Sequence, residues 1–133
     1  MGGVGPELEK LARAVDREEV RLAVLFGSRA RGQATPASDW DVGLVVARPI
    51  DWLDWMGELE SVMGSRVDLV DLARASPLLA HRAATQGKVL LDRTGHEFAR
   101  FASLALRKYW DTAKFRRLQE ESLRRFVAQR VPR

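Results

Sequence analysis

Residues 27–41 read Gly27-Ser28-Arg29-Ala30-Arg31-Gly32-Gln33-Ala34-Thr35-Pro36-Ala37-Ser38-Asp39-Trp40-Asp41, and the fold turns on this stretch. An apolar run, Leu22 to Phe26, stops at the Gly-Ser pair. Ten residues later come two carboxylates, Asp39 and Asp41, one residue apart. A third, Asp68, sits in another apolar run, Arg66-Val67-Asp68-Leu69-Val70-Asp71-Leu72. Small residues that let a phosphate approach, followed by acids suited to hard cations, point to chemistry on a nucleoside triphosphate.

The spacing has a physical reason. Alternate side chains of a strand share a face, so Asp39 and Asp41 project together while Trp40 and Val42 point the other way. Two carboxylates on one face repel unless something compensates them. Mg²⁺ does so, taking one or two carboxylates together with phosphates and water. Ser28 and the amides after it are expected at the start of a short helix, where unpaired N–H groups favour a phosphate.

Gly27-Ser28, ten residues, then Asp39-x-Asp41 resembles the signature of the DNA polymerase β-like nucleotidyltransferases. The short chain, the Gly27–Gly32 segment and the Val67-Asp68-Leu69-Val70 strand look like its minimal nucleotidyltransferase (MNT) branch. The resemblance spans roughly residues 20–91. It implies two Mg²⁺ ions held by Asp39, Asp41 and Asp68, with Asp68 also activating the acceptor hydroxyl. Gly27, Ser28 and Arg29 are the implied nucleotide contacts, although the residues alone leave Arg29 and Arg31 undecided. It also implies ATP as substrate and a HEPN-domain toxin as partner, AMP passing to a tyrosine of that toxin in the manner of a type VII-like antitoxin. A binding-only antitoxin and a small-molecule nucleotidyltransferase are the alternatives, and a homo-oligomer is left open.

Composition bounds the rest. The 133 residues fit one domain, 1–133, and 46% hydrophobic content is enough for a real core. With no cysteine, disulfides and thiolate metal sites are impossible. No apolar run approaches a bilayer span, and residues 1–6 lack the regions of a signal peptide, so the expected location is the cytoplasm. Residues 1–92 carry 11 Lys and Arg against 14 Asp and Glu, a balance of −3; residues 93–133 carry 11 against 4, a balance of +7. The basic end suits a solvated face or an acidic partner better than direct nucleic-acid binding.

The pattern predicts an α/β fold: a small mixed β-sheet backed by helices, ending in a long C-terminal helix. Helices are expected over Pro6–Glu19, from an Asp51 cap to Met63, from a Ser76 cap to Gln86, and from Thr94 or Gly95 to Ala128. Strands are expected over Val20–Phe26, Asp39–Ala47, Arg66–Leu72 and, at an edge, Lys88–Leu91. Gly43 within a strand marks a bulge or close packing. Asp71, three positions from Asp68, faces away from it and reads as a strand terminator. Trp40 is read as core, and Trp52 and Trp55 as core or rim. His81 and His96 are isolated and do not form a zinc site. The last helix carries Phe98, Phe101, Ala105 and Tyr109 on one face and Leu104, Phe115 and Leu118 on another, the second face being a candidate contact surface.

Overall fold

The computed structural model describes residues 5–130. Its elements are α1 (Pro6–Val15), β1 (Val20–Phe26), β2 (Trp40–Val46), α2 (Trp52–Met63), β3 (Val67–Asp71), α3 (Pro77–Gln86), β4 (Lys88–Asp92) and α4 (Glu97–Arg130). The strands form one sheet in the order β3-β2-β1-β4. β1 runs antiparallel to both β2 and β4, whereas β2 and β3 are parallel. The sheet is therefore mixed, with β4 at an edge as expected.

Burial on both faces explains why β1 is apolar almost throughout. Ala23 and Leu25 join Leu11 and Val15 of α1, Leu59 of α2 and Val42 and Leu44 of β2 in one core cluster. Leu22, Val24 and Phe26 point the other way, to Ala83 of α3 and Phe98 and Phe101 of α4. Helices α1 and α2 thus cover one face and α3 and α4 the other. Trp40, 4% exposed, and Trp55, 7% exposed, are core residues. Gly43 is explained by close packing: a Cβ there would lie 2.5 Å from Leu72 Cδ2.

The helix boundaries follow local chemistry. Asp51 accepts the Asp54 amide and Ser76 accepts the Leu79 amide, so both expected caps form. Gly64, at φ 69°, closes α2. Two expectations are corrected. Helix α1 stops at Val15, and a turn closed by Val20 N–H to Arg17 C=O occupies the residues read as its last turn. Helix α4 begins at Glu97 because the Asp92 carboxylate accepts the amides of Gly95, Glu97 and Phe98, which sets the start downstream of Gly95. Those bonds hold the Asp92 carboxyl below its ordinary range, the Phe98 amide contributing most.

Candidate active site

The parallel register of β2 and β3 assembles the acids. Asp41 lies directly beside Asp68, as Trp40 does beside Val67. Because Trp40 and Val42 are committed to the α1/α2 core, Asp41 must face the α3/α4 side of the sheet. Asp39, just before β2, has the same parity. Arg66 bridges two of the three acids: its Nε lies 3.4 Å from Asp68 Oδ1 and 3.9 Å from Asp39 Oδ2. Asp71 is apart from them at the end of β3, where its carboxylate accepts the Ala73 amide.

Asp41 is the electrostatic centre of the group. Burial raises its pKa above the ordinary carboxylate value, and the charges of Asp68 and Asp39 raise it further, against a lowering from Arg31. Such a site favours any cation that can reach it. The three side chains do not close into a ready-made metal cage among the described residues. An arginine lies between two of them, and Asp39 and Asp68 remain about 40% exposed. Three hard oxygen donors on one open face suit a divalent cation that also takes phosphate and water.

Gly27 touches this centre. Its φ is +76°, and a Cβ on it would lie 2.3 Å from Asp41 Oδ2. The glycine is therefore required twice, once for its backbone conformation and once for the space Asp41 fills. The helix expected over residues 27–32 does not form. Ala30 and Arg31 N–H both bond Gly27 C=O and Gln33 N–H bonds Ser28 C=O, giving a compact turn ended by Gly32 at φ +71°. Ser28 stands in that turn, one residue beyond the Gly27 that packs on Asp41.

Arg29 is placed otherwise than expected for a phosphate contact. Its guanidinium stacks 3.9 Å from the Trp40 ring centroid, and its Nε and Nη2 donate to the Ser38 carbonyl at 3.0 and 2.8 Å. It ties down the loop that delivers Asp39 and Asp41. Trp40 is held at its other end by Nε1–H to Ser65 Oγ, 2.9 Å. Arg31 is the arginine whose charge Asp41 feels, and it is also bonded to Gln33 and Gln86. Sequence reading missed Arg66 and Gln86. Only the strand register puts Arg66 beside Asp39, and only the path of α3 brings Gln86 to the turn.

Adjacent strand carboxylates, a Gly-Ser turn packed on one of them and a four-stranded mixed sheet together define a nucleotidyltransferase. The chain belongs to the family described as polymerase beta, nucleotidyltransferase, whose model matches residues 9–96. It is similar to the protein adenylyltransferase MntA of Aphanizomenon flos-aquae (strain 2012/KM1/D3), 29% identical over 123 residues covering 81% of each chain. It is also similar in structure to a chain from a crystal structure described as a toxin-antitoxin with AMP-PNP. That match has a TM-score of 0.72 and 28% identity, over 92% of this chain and 99% of the other. A structure of tri-AMPylated Shewanella oneidensis HEPN toxin in complex with MNT antitoxin matches with a TM-score of 0.70 and 26% identity, over 88% of this chain and 96% of the other.

Proposed function

We propose that this chain is an antitoxin that transfers AMP from ATP to a tyrosine hydroxyl of a HEPN-type toxin. The observation that carries the reading is the Asp41–Asp68 register pair with Gly27 packed on Asp41. The comparisons support the reaction and the kind of partner, since the relatives are an adenylyltransferase and MNT–HEPN complexes.

Asp39, Asp41 and Asp68 would hold the divalent cation, for which two Mg²⁺ ions are the expectation. When bound, the metal neutralises the charge of the triphosphate and lowers the pKa of the attacking hydroxyl. The residues do the rest by position. Gly27 and the backbone amides of Ser28 and Arg29, which the turn's own hydrogen bonds do not use, receive the β and γ phosphates, with Ser28 donating its hydroxyl. Arg31 faces the same phosphates. Asp68, the more open partner of the register pair, takes the proton of the acceptor hydroxyl. The acceptor oxygen then bonds the α-phosphorus as the bond to the bridging oxygen breaks, and pyrophosphate leaves. Arg29 is a positioning residue, holding Trp40 and the Ser38 carbonyl so that Asp39 and Asp41 are presented on one face.

The site is open, which suits a macromolecular acceptor better than an enclosed small one. No helix among the described residues is long and apolar enough to cross a membrane, and we place the reaction in the cytoplasm with the toxin. The test is transfer of label from α-³²P ATP to the co-purified toxin, located by mass spectrometry. Label on a tyrosine, lost in the Asp39→Asn/Asp41→Asn protein, is the expected result. Toxin neutralised by that double variant as well as by wild type, with no label in either case, overturns the enzymatic reading.

A further inference from the structure

Helix α4 outruns the body it packs on. Its first turns are anchored, with half-buried Phe98 and Phe101 packed against the core and Ala105 buried. From residue 114 to 130 every side chain is exposed. At about 1.5 Å per residue this is a free rod about 25 Å long. It carries Phe115, Leu118, Leu123, Phe126 and Val127, each at least 50% exposed. A helix of this length with no packing partner is marginal in water.

Leu104, on the same face of α4 as Phe115 and Leu118, lines a cavity on the body, with Lys108 and Asp111 between it and Phe115 on that face. Residues Val45, Leu72, Ala80, Phe101, Leu104 and Ala105 line a cavity of about 200 Å³ between the sheet, α3 and α4. At about 100° per residue, Leu104, Phe115, Leu118 and Phe126 lie within about 80° of one another around α4. Half the surface of a rod about 25 Å long and about 10 Å wide is about 400 Å². A stable interface takes about 800 Å² from each partner, so the rod must share the contact with the cavity wall.

Charge selects the occupant. Residues 114–130 hold six basic and two acidic side chains, a balance of +4. A second copy would set +4 against +4, which disfavours self-association. A nucleic acid would use the arginines but leave Leu118, Leu123 and Val127, which have no π-face, without a role. An acidic protein surface with an apolar centre uses both.

We propose that the distal half of α4 and the adjoining cavity are the docking surface for the toxin subunit, which presents apolar side chains ringed by carboxylates. This rests on the functional reading above, deepened to the surface that selects the partner. The anchors are Phe115, Leu118 and Phe126, and the rim is Arg116, Arg117, Arg124 and Arg125.

The experiment measures toxin binding and AMP transfer separately on the full chain. Phe115→Glu/Phe126→Glu should raise the Kd for the toxin by about 30-fold or more, the scale of losing interface anchors. Its melting temperature should hold, because both side chains are exposed. Reversal of the four rim arginines to Glu, a second route independent of the anchors, should weaken binding about tenfold or more at low salt. That difference should shrink as salt rises. Transfer at saturating toxin should persist in both. The Asp39→Asn/Asp41→Asn protein should bind the toxin as wild type does. Wild-type affinity in both α4 variants overturns the docking surface and leaves the proposed reaction standing. Loss of a self-dimer, or of RNA binding, in place of toxin binding also overturns it. Absence of transfer by the wild-type chain, with docking intact, overturns the reaction alone.

Discussion

Replacing Gly27 by alanine tests the assembly of the site most directly. The new Cβ would sit 2.3 Å from Asp41 Oδ2 and 3.2 Å from its Cγ. Ordinary carbon contacts begin near 3.5 Å, so the carboxylate must move by about 1 Å. A misplacement of about 1 Å at a reacting centre can cost about 100-fold, or about 2.7 kcal/mol of transition-state stabilisation. The backbone adds a separate cost, because φ at +76° is the left-handed region, worth about 1–2 kcal/mol against a residue with a Cβ. Gly32 separates the two effects. Its φ is +71°, but a Cβ there meets nothing within 4 Å. Gly32→Ala should therefore lower the melting temperature by several degrees and leave transfer near normal. Gly27→Ala should lower both, with kcat/KM for AMP transfer down about 100-fold. The assays are thermal unfolding and labelled transfer at several ATP concentrations. Equal transfer rates in the two variants, whether both high or both low, would refute the claim that Gly27 makes room for Asp41.

Four further outcomes follow from the same geometry. Asp41→Asn should abolish transfer yet raise the melting temperature at pH 7. A carboxyl whose folded pKa is raised opposes folding increasingly as pH rises through that pKa, so the gain should vanish below about pH 4. Arg29→Ala removes the stacking on Trp40 and both bonds to Ser38, and should destabilise by about 1–3 kcal/mol while lowering kcat more than it raises the KM for ATP; Arg31→Ala should show the opposite kinetic split. Arg66→Ala should tighten binding of Mn²⁺ alone by about threefold to tenfold, read by electron paramagnetic resonance, since a cation beside Asp39 and Asp68 disfavours a second. Asp92→Ala should lower the melting temperature at pH 7. The stabilisation from its depressed carboxyl is present above the unfolded pKa and lost as pH falls through the folded one, so the gap between wild type and variant should begin to narrow near about pH 4 and close only in stronger acid, below the folded pKa.

Much of the scaffold was legible because it is written in local chemistry. Caps at Asp51 and Ser76 and the stop at Gly64 lie where side chains and glycine conformation put them, whatever the rest of the chain does. Strand β1 was legible from its apolar run, Leu22 to Phe26, which only burial on both faces explains. The acids were legible as a pair through strand parity, and the face opposite Trp40 is where the structure puts them. What escaped depends on contacts distant in sequence. Asp68 was grouped with Asp39 and Asp41 through the family resemblance, but its direct register with Asp41, across strands separated by a helix, is not set by apolar periodicity. Arg66 beside Asp39 follows from the register and inherits its illegibility. Arg29 was an implied nucleotide contact through the family resemblance, the residues alone leaving it undecided against Arg31. Its guanidinium goes instead to an indole, a choice set by how the loop returns from Gly32 to Ser38. A short helix was expected at 27–32 because Ser28 and the amides after it suit a helix start that favours a phosphate. Left-handed glycines at both ends confine it to little more than one turn.

The open site and the overhanging helix belong to one design. An enzyme acting on a small acceptor must enclose it, since contacts to the reacting fragment supply its orientation. Here Asp39 and Asp68 stay about 40% exposed and the described residues form no lid over them, so orientation of the acceptor must come from elsewhere. Binding energy from remote parts of a substrate can be used to position the reacting group. The distal half of α4 offers a remote contact of that kind, chemically unlike the site. Its apolar stripe and arginines recognise a protein surface, while the three carboxylates recognise a metal-bound triphosphate. The two should therefore separate in kinetics. Changes on α4 should raise the KM for the toxin at constant kcat, and changes at Asp39, Asp41 or Asp68 should lower kcat at constant toxin affinity. A single α4 substitution such as Phe126→Ala that lowered kcat at saturating toxin would show that docking also aligns the acceptor, so that α4 takes part in catalysis through position as well as in recognition.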